Sequence, residues 1–136
     1  MSEPGYAYRI TIPFQDIDAA GIVFFAHLFR YAHEAYEHFL ADRGHALADV
    51  LRDGDYLLPL VHAEADYKRP LRHNEAIVVE LSVKRLGDSS FTLQYRCMDG
   101  AGELRAELQT VHVALDAKSR KPIAIPATLR DSLASL

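Results

Sequence analysis

The stretch Val23-Phe24-Phe25-Ala26-His27-Leu28-Phe29-Arg30-Tyr31-Ala32-His33-Glu34-Ala35-Tyr36-Glu37-His38-Phe39-Leu40-Ala41-Asp42-Arg43 decides the fold class. Phe25, Phe29, Ala32, Tyr36 and Phe39 recur at steps of four, three, four and three, which is the period of one helical face. Leu28, Tyr31, Ala35 and Leu40 widen the stripe until apolar side chains cover much of the circumference. The pattern predicts one long helix over residues 23–43, buried on most sides, with Gly44 as its C-terminal stop.

On either side of this helix the period changes to two. Tyr6, Tyr8, Ile10 and Ile12 alternate with Ala7, Arg9 and Thr11 in a first strand over residues 6–14, with Pro13 at its end or at a sheet edge. Residues 45–56 read as a loop or a short second helix, and residues 58–68 as an apolar-rich strand stopped by Pro70. Ile77, Val79, Leu81 and Val83 form one alternating set and Phe91, Leu93, Tyr95 and Cys97 the next. Leu104, Ala106 and Leu108 open a last strand that reads as apolar on both faces through residues 111–115. Gly87-Asp88 and Asp99-Gly100-Ala101-Gly102 are turns that join these three strands into an antiparallel meander.

This order predicts an α+β fold, one antiparallel sheet against one long helix. No repeat or linker-like stretch divides the chain, so residues 1–136 read as a single domain. One helix covers one sheet face, and the apolar residues left over in 77–83 and 111–115 predict a homo-oligomer formed through the open face or an edge strand.

Composition narrows the function. Apolar residues make up 49% and charged residues 25%, enough for a packed core and unlike a disordered chain. A net charge of -4 offers no general field for nucleic acid. Cys97 is the single cysteine, which fits a reducing compartment and reads as a small core hydrophobe. Met1-Ser2-Glu3-Pro4-Gly5 opens no signal segment and no long apolar run follows, so the expected location is the cytoplasm, with no membrane partner.

The chemistry concentrates in Phe14-Gln15-Asp16-Ile17-Asp18-Ala19-Ala20-Gly21-Ile22-Val23-Phe24-Phe25. Two carboxylates stand just before a helix N-terminus, whose free N–H groups stabilise an anion. Spacing alone suits turn and capping roles for both Asp residues as well. No Gly-x-Ser-x-Gly elbow or phosphate-binding glycine loop occurs. His33-Glu34-Ala35-Tyr36-Glu37 departs from a zinc-binding His-Glu-x-x-His at its last position, so neither a metal nor another cofactor is expected.

Residues 14–25, followed by Ala26-His27-Leu28-Phe29-Arg30-Tyr31, resemble the Asp-x-Asp-x-x-Gly-hydrophobic-Val-aromatic signature of hotdog-fold acyl-CoA thioesterases of the 4-hydroxybenzoyl-CoA thioesterase type. Leu58-Pro59-Leu60-Val61-His62-Ala63-Glu64-Ala65-Asp66-Tyr67 and Arg69-Pro70-Leu71 are similar to the family's second strand and its Arg/Lys-Pro step. Asp18-Ala19-Ala20-Gly21 and His33-Glu34-Ala35-Tyr36-Glu37-His38 resemble most the 1,4-dihydroxy-2-naphthoyl-CoA hydrolase branch.

The resemblance implies a hotdog fold, an antiparallel sheet wrapped around one long central helix, and hydrolysis of an acyl-CoA, with an aryl group favoured, to free acid and CoA. It places catalysis on Asp18, as general base or nucleophile, and on the backbone N–H of Phe25 as donor to the thioester carbonyl. It implies substrate contacts at Asp16, Val23, Phe24, His27, Glu34, Pro59 and His62. Lys68, Arg69, Lys84 and Arg85, with Arg72, are the cations available to CoA phosphates. It further implies a homo-oligomer, a dimer or a homotetramer built from dimers. The alternatives are a broad short- or medium-chain acyl-CoA thioesterase, a non-catalytic acyl-binding hotdog protein, or a dehydratase. An intact Asp18 speaks against the binding protein, and the lack of a hydratase His pattern against the dehydratase.

Overall fold

Alternation of apolar and polar side chains becomes five hydrogen-bonded strands. A computed structural model describes residues 5–136, so the reading of Met1-Ser2-Glu3-Pro4 lies outside the described residues. The strands are β1 (Tyr6–Thr11), β3 (Leu60–Tyr67), β4 (Ala76–Leu86), β5 (Ser90–Asp99) and β6 (Leu104–Val113), with a short β2 (Tyr56–Leu57) paired to β7 (Leu115–Asp116). The five run in the order β1-β4-β5-β6-β3, every neighbouring pair antiparallel. The meander is therefore the centre of the sheet, and the two strands predicted upstream are its edges. β1 stops at Thr11 because Pro13 has no N–H for a ladder and Phe14–Asp16 coil into a 3₁₀ turn.

Register places Tyr6, Leu81, Tyr95, Leu108 and Ala65 in one row across the sheet, on the face that carries the helix. The adjacent row, Ala7, Glu80, Arg96, Glu107 and Asp66, points to the other side. That open face is mostly polar. Of the apolar residues in 77–83 and 111–115 it carries Val78, Val111 and Val113, each partly buried, whereas Ile77, Val79 and Leu81 turn toward the helix.

The long helix α1 spans His27–Asp42, starting four residues later than the pattern predicted. Phe24 and Phe25 precede it. Its buried side chains are Leu28, Tyr31, Ala32, Ala35, Tyr36, Phe39 and Leu40, while Arg30, His33, Glu37 and His38 are exposed. Burial on one broad face thus replaces burial on most sides. Two further helices complete the chain: α2 (Leu47–Asp53) within the segment read as loop or helix, and α3 (Ala127–Ala134), which sequence reasoning did not anticipate. Leu129 and Leu133 of α3 are fully buried, and Arg130 donates to the Gly87 carbonyl at 2.6 Å. No helix among the described residues is long and apolar enough to cross a membrane.

Residues 111–115 hold a second correction: the inward positions are His112 and Ala114, so the strand is not simply apolar on both faces. His112 is 2% exposed, stacked between the rings of Tyr36 and Phe91. One proton arrangement satisfies the chain of contacts: Tyr95 O–H donates to Thr110 (2.8 Å), Thr110 O–H to His112 Nε2 (3.1 Å), and His112 Nδ1–H to the Leu58 carbonyl (3.4 Å). This arrangement requires a neutral imidazole, and burial pushes its pKa down from 6.5 to about 4.

An unfolded chain protonates this histidine near 6.5, so its contribution to stability is complete above that pH and is lost as pH falls toward about 4. At about 1.4 kcal/mol per pH unit the loss amounts to roughly 3 kcal/mol. Urea melts between pH 7 and 4 should show this decline in the wild type, and a flatter profile in His112→Gln.

Candidate active site

The loop before α1 is closed on itself by backbone pairing. Asp18 N–H donates to the Ile22 carbonyl (2.9 Å), Gly21 N–H to the Asp18 carbonyl (3.0 Å), and Ile17 bridges Val23. Gly21 has φ +82°, a left-handed conformation that glycine adopts without strain. Two outside bonds fix the returning limb: Val23 N–H to the Leu71 carbonyl (2.8 Å) and Phe24 N–H to the Asp16 carbonyl (2.9 Å). Asp18 Oδ1 accepts the Ala20 N–H at 2.8 Å, a turn role, and Oδ2 accepts no protein hydrogen bond among the described residues.

Ala26 is the N-cap of α1, and no side chain caps it. The N–H groups of Phe25 and Ala26 donate to no protein acceptor among the described residues, as expected for the first turn of a helix. Their directions are nevertheless set. His27 N–H donates to the Phe24 carbonyl (3.0 Å), which orients the peptide that carries the Phe25 N–H. Tyr67 O–H donates to the Phe25 carbonyl (2.9 Å), which orients the next peptide.

Asp18 and Phe25 line one cavity of about 460 Å³, together with Ile22, Val23, Phe24, Leu28, Tyr67, Lys68, Arg69, Pro70 and Leu71. The walls are apolar apart from one carboxylate, one phenol and two cations. Free N–H donors, a carboxylate with an open oxygen and an apolar wall suit the polarisation of a carbonyl and attack on its carbon.

The thioesterase-like superfamily model matches residues 12–133, the span that contains this loop, the helix and every strand of the sheet but β1. The chain belongs to the thioesterase-like superfamily. It is 37% identical over 129 residues to a 1,4-dihydroxy-2-naphthoyl-CoA hydrolase of Microcystis aeruginosa, covering 95% of this chain and 93% of that protein. It is 38% identical to a protein of the same name from Synechococcus elongatus, over 94% of each chain. Among solved structures, a 1,4-dihydroxy-2-naphthoyl-CoA thioesterase from Synechocystis superposes with a TM-score of 0.91 at 29% identity over 96% of both chains. A gentisyl-coenzyme A thioesterase superposes with a TM-score of 0.82 at 28% identity, covering 94% of this chain and 98% of that one. The sheet and long helix are thus shared with the hotdog thioesterases that the sequence resembles.

Within this thioesterase fold the expected site residues separate into three groups. Asp18, Val23, Phe24, Phe25, Lys68 and Arg69 meet at the cavity. Phe25 stands just before α1 and not within it. Arg69 is also paired with Glu103 at 3.0 Å, whereas Lys68 has no carboxylate partner among the described residues. His27 points to the Asp16 side, its Nε2 3.9 Å from Asp16 Oδ1. Asp16 itself is 3% exposed and does not line this cavity. Glu34, on α1, is tied to Arg30 at 3.2 Å.

Pro59 and His62 lie toward the Leu60 end of β3, the opposite end from Tyr67, and His62 contacts Glu64 at 3.0 Å. Lys84 and Arg85 stand toward the Leu86 end of β4, where Lys84 donates to Gln109 at 3.0 Å, and neither lines the cavity. A single chain does not bring them to its own cavity. Cys97 is buried in β5 and burial pushes its thiol up to about 12, so it carries no nucleophilic chemistry.

Tyr67 and Arg105 were not read from sequence. Tyr67 had one signal, its place as the last residue before Lys68-Arg69-Pro70. Arg105 had none, because its role depends on partners from three segments. It donates to the Pro70 carbonyl, to Glu75 at 2.7 Å and to Asp99 at 3.1 Å, and its own carbonyl accepts the N–H groups of Lys68 and Arg69. The Arg105 hydrogen bond holds the Glu75 carboxyl below its usual range.

No atom lies within 4 Å of a Cβ added at Gly21, so only its backbone angle opposes substitution. Gly21→Ala should cost about 1–2 kcal/mol and Gly21→Asn markedly less, since Asn tolerates this conformation. Thermal melts of the two variants check the ranking, and equal melting temperatures would overturn it.

Proposed function

We propose that this protein is an aryl-CoA thioesterase in which Asp18 acts on the thioester carbonyl polarised by the Phe25 N–H. The observation that carries the reading is their meeting in one apolar cavity at the start of α1, in a chain of the thioesterase-like superfamily. The thioester carbonyl oxygen accepts the Phe25 N–H, so charge that develops on it meets a donor already oriented. Asp18 either attacks the carbonyl carbon or takes a proton from the attacking water. When Asp18 attacks, the C–S bond breaks as the acyl group passes to its carboxylate, and water then hydrolyses this mixed anhydride to the free acid and restores Asp18. When Asp18 acts as base, the water oxygen adds to the acyl carbon directly, and in both routes the thiolate takes up a proton to leave as CoA. Phe24, Phe25 and Tyr67 offer ring faces and edges to an aryl acyl group. The 1,4-dihydroxy-2-naphthoyl-CoA hydrolase and gentisyl-coenzyme A thioesterase names of its relatives favour this substrate class.

The same proposal includes a second copy of the chain. β3 is an edge strand, and along it Leu60 is 50% and Val61 58% exposed, continuous through Tyr67 with Phe25 at 58%. Antiparallel pairing of two β3 edges about a two-fold axis sets the Leu60 end of one copy against the Tyr67 end of the other. That operation brings Pro59, His62, and the end of the sheet that holds Lys84 and Arg85, to the cavity of the other copy. It accounts for the placement of Pro59, His62, Lys84 and Arg85 away from their own chain's cavity, so we read the assembly as a dimer or a tetramer built from dimers. We read residues 1–136 as one thioesterase domain and place it in the cytoplasm, consistent with the single buried thiol of Cys97 and with CoA thioesters as substrates.

Thiol release from benzoyl-, 4-hydroxybenzoyl-, dihydroxynaphthoyl-, butyryl-, hexanoyl- and palmitoyl-CoA tests the substrate class. Preference for an aryl member is expected, and a flat aliphatic profile would replace the reading with a broad acyl-CoA hydrolase. Asp18→Asn should lower turnover by ~10²-fold or more with the fold retained, and near wild-type turnover would remove Asp18 from the chemistry. Val61→Arg should yield monomers by light scattering with turnover lost. A fully active wild-type monomer at micromolar concentration would overturn the two-copy site.

A further inference from the structure

Asp16 is expected from the resemblance to touch substrate, yet it is 3% exposed and does not line the cavity that holds Asp18 and Phe25. Its contacts run to the protein instead. Oδ2 accepts the Tyr31 O–H at 2.5 Å and an N–H of Arg30, and Arg30 reaches on to Glu34 at 3.2 Å. Burial, then the hydrogen bond to Asp16, push the Tyr31 hydroxyl far above its ordinary pKa, so it stays a proton donor. The Asp16 backbone carbonyl meanwhile accepts the Phe24 N–H at 2.9 Å.

These bonds place Asp16 between the two halves of the site. On one side it is two residues from Asp18 in the closed loop. On the other it holds Phe24, whose carbonyl begins the peptide that carries the Phe25 N–H. Its side chain then ties both to the first turns of α1 through Arg30 and Tyr31. From this geometry we infer that Asp16 is a positioning residue that fixes the distance between the Asp18 carboxylate and the Phe25 N–H, with Tyr31 and Arg30 as its anchors.

The inference rests on the proposed roles of Asp18 and Phe25. A carboxylate is suited to this task because it accepts two charge-assisted or strong hydrogen bonds at one oxygen while buried, where an unpaired group would be costly. Misplacement of a reacting group by about 1 Å can cost on the order of 10²-fold in rate with little effect on ground-state binding.

The test uses purified full-length protein with benzoyl-CoA, and measures kcat, KM and thermal melting for Asp16→Asn, Tyr31→Phe and Asp18→Asn. Tyr31→Phe removes one hydroxyl and should keep the fold. Its kcat should fall by roughly 10-fold and that of Asp16→Asn by roughly 10²-fold, with KM within about two-fold of wild type. Folded Tyr31→Phe with wild-type kcat and a lower melting temperature would overturn the inference and leave a purely structural role. A KM raised about ten-fold or more at constant kcat would overturn it in favour of a substrate contact. Asp18→Asn separates the two claims: if it stays active the underlying reading fails, whereas an inactive Asp18→Asn beside an unaffected Tyr31→Phe fails the positioning role alone.

Discussion

One α-helix, about 10–12 Å across with its side chains, cannot cover five strands whose outer members lie about 19 Å apart at about 4.8 Å per strand. Much of this molecule follows from that mismatch. α1 lies toward the β1 side, where Phe39 packs edge-on to Tyr6 and His38 stacks on Tyr8, and it reaches β6 through Tyr36 and His112. β3 is left uncovered. Its apolar side chains, the exposed rings of Phe25 and Tyr67, and the cavity at the start of the helix all occupy the strip that the helix does not reach.

The same strip is where a helix N-terminus leaves its backbone donors free. No side chain reaches the N–H groups of Phe25 and Ala26 among the described residues, and the loop that precedes them is held by backbone bonds and by Asp16. The geometry therefore keeps unpaired N–H groups next to a carboxylate and inside an apolar wall. The buried acid nearby, Asp16, is satisfied by Arg30 and Tyr31.

Legibility varied with the range of the interaction. The period of residues 25–40 made α1 readable, and alternation made β4, β5 and β6 readable, because burial of one face imposes a local repeat on the chain. The start of α1 was misplaced since Val23, Phe24 and Phe25 are apolar for other reasons: Val23 is buried beside the loop, and the two rings line the cavity. α3 went unread because Leu129 and Leu133 sit in a short segment without a distinctive period. His112 escaped notice because a histidine between valines does not announce that it faces a core.

By itself, the sequence determined the fold class, the strand and helix inventory of the central region, and the loop that holds Asp16, Asp18 and Phe25, since these depend on neighbours close along the chain. The tertiary structure alone decided the role open to each residue. It buried Asp16 against Arg30 and Tyr31, set Tyr67 on the Phe25 carbonyl, and joined residues 68–71 to Arg105. It also carried Lys84 and Arg85 to the far end of the sheet from the cavity. Strand order and register set these distances, and pairings such as β1 with β4 or β3 with β6 join segments that no local repeat relates.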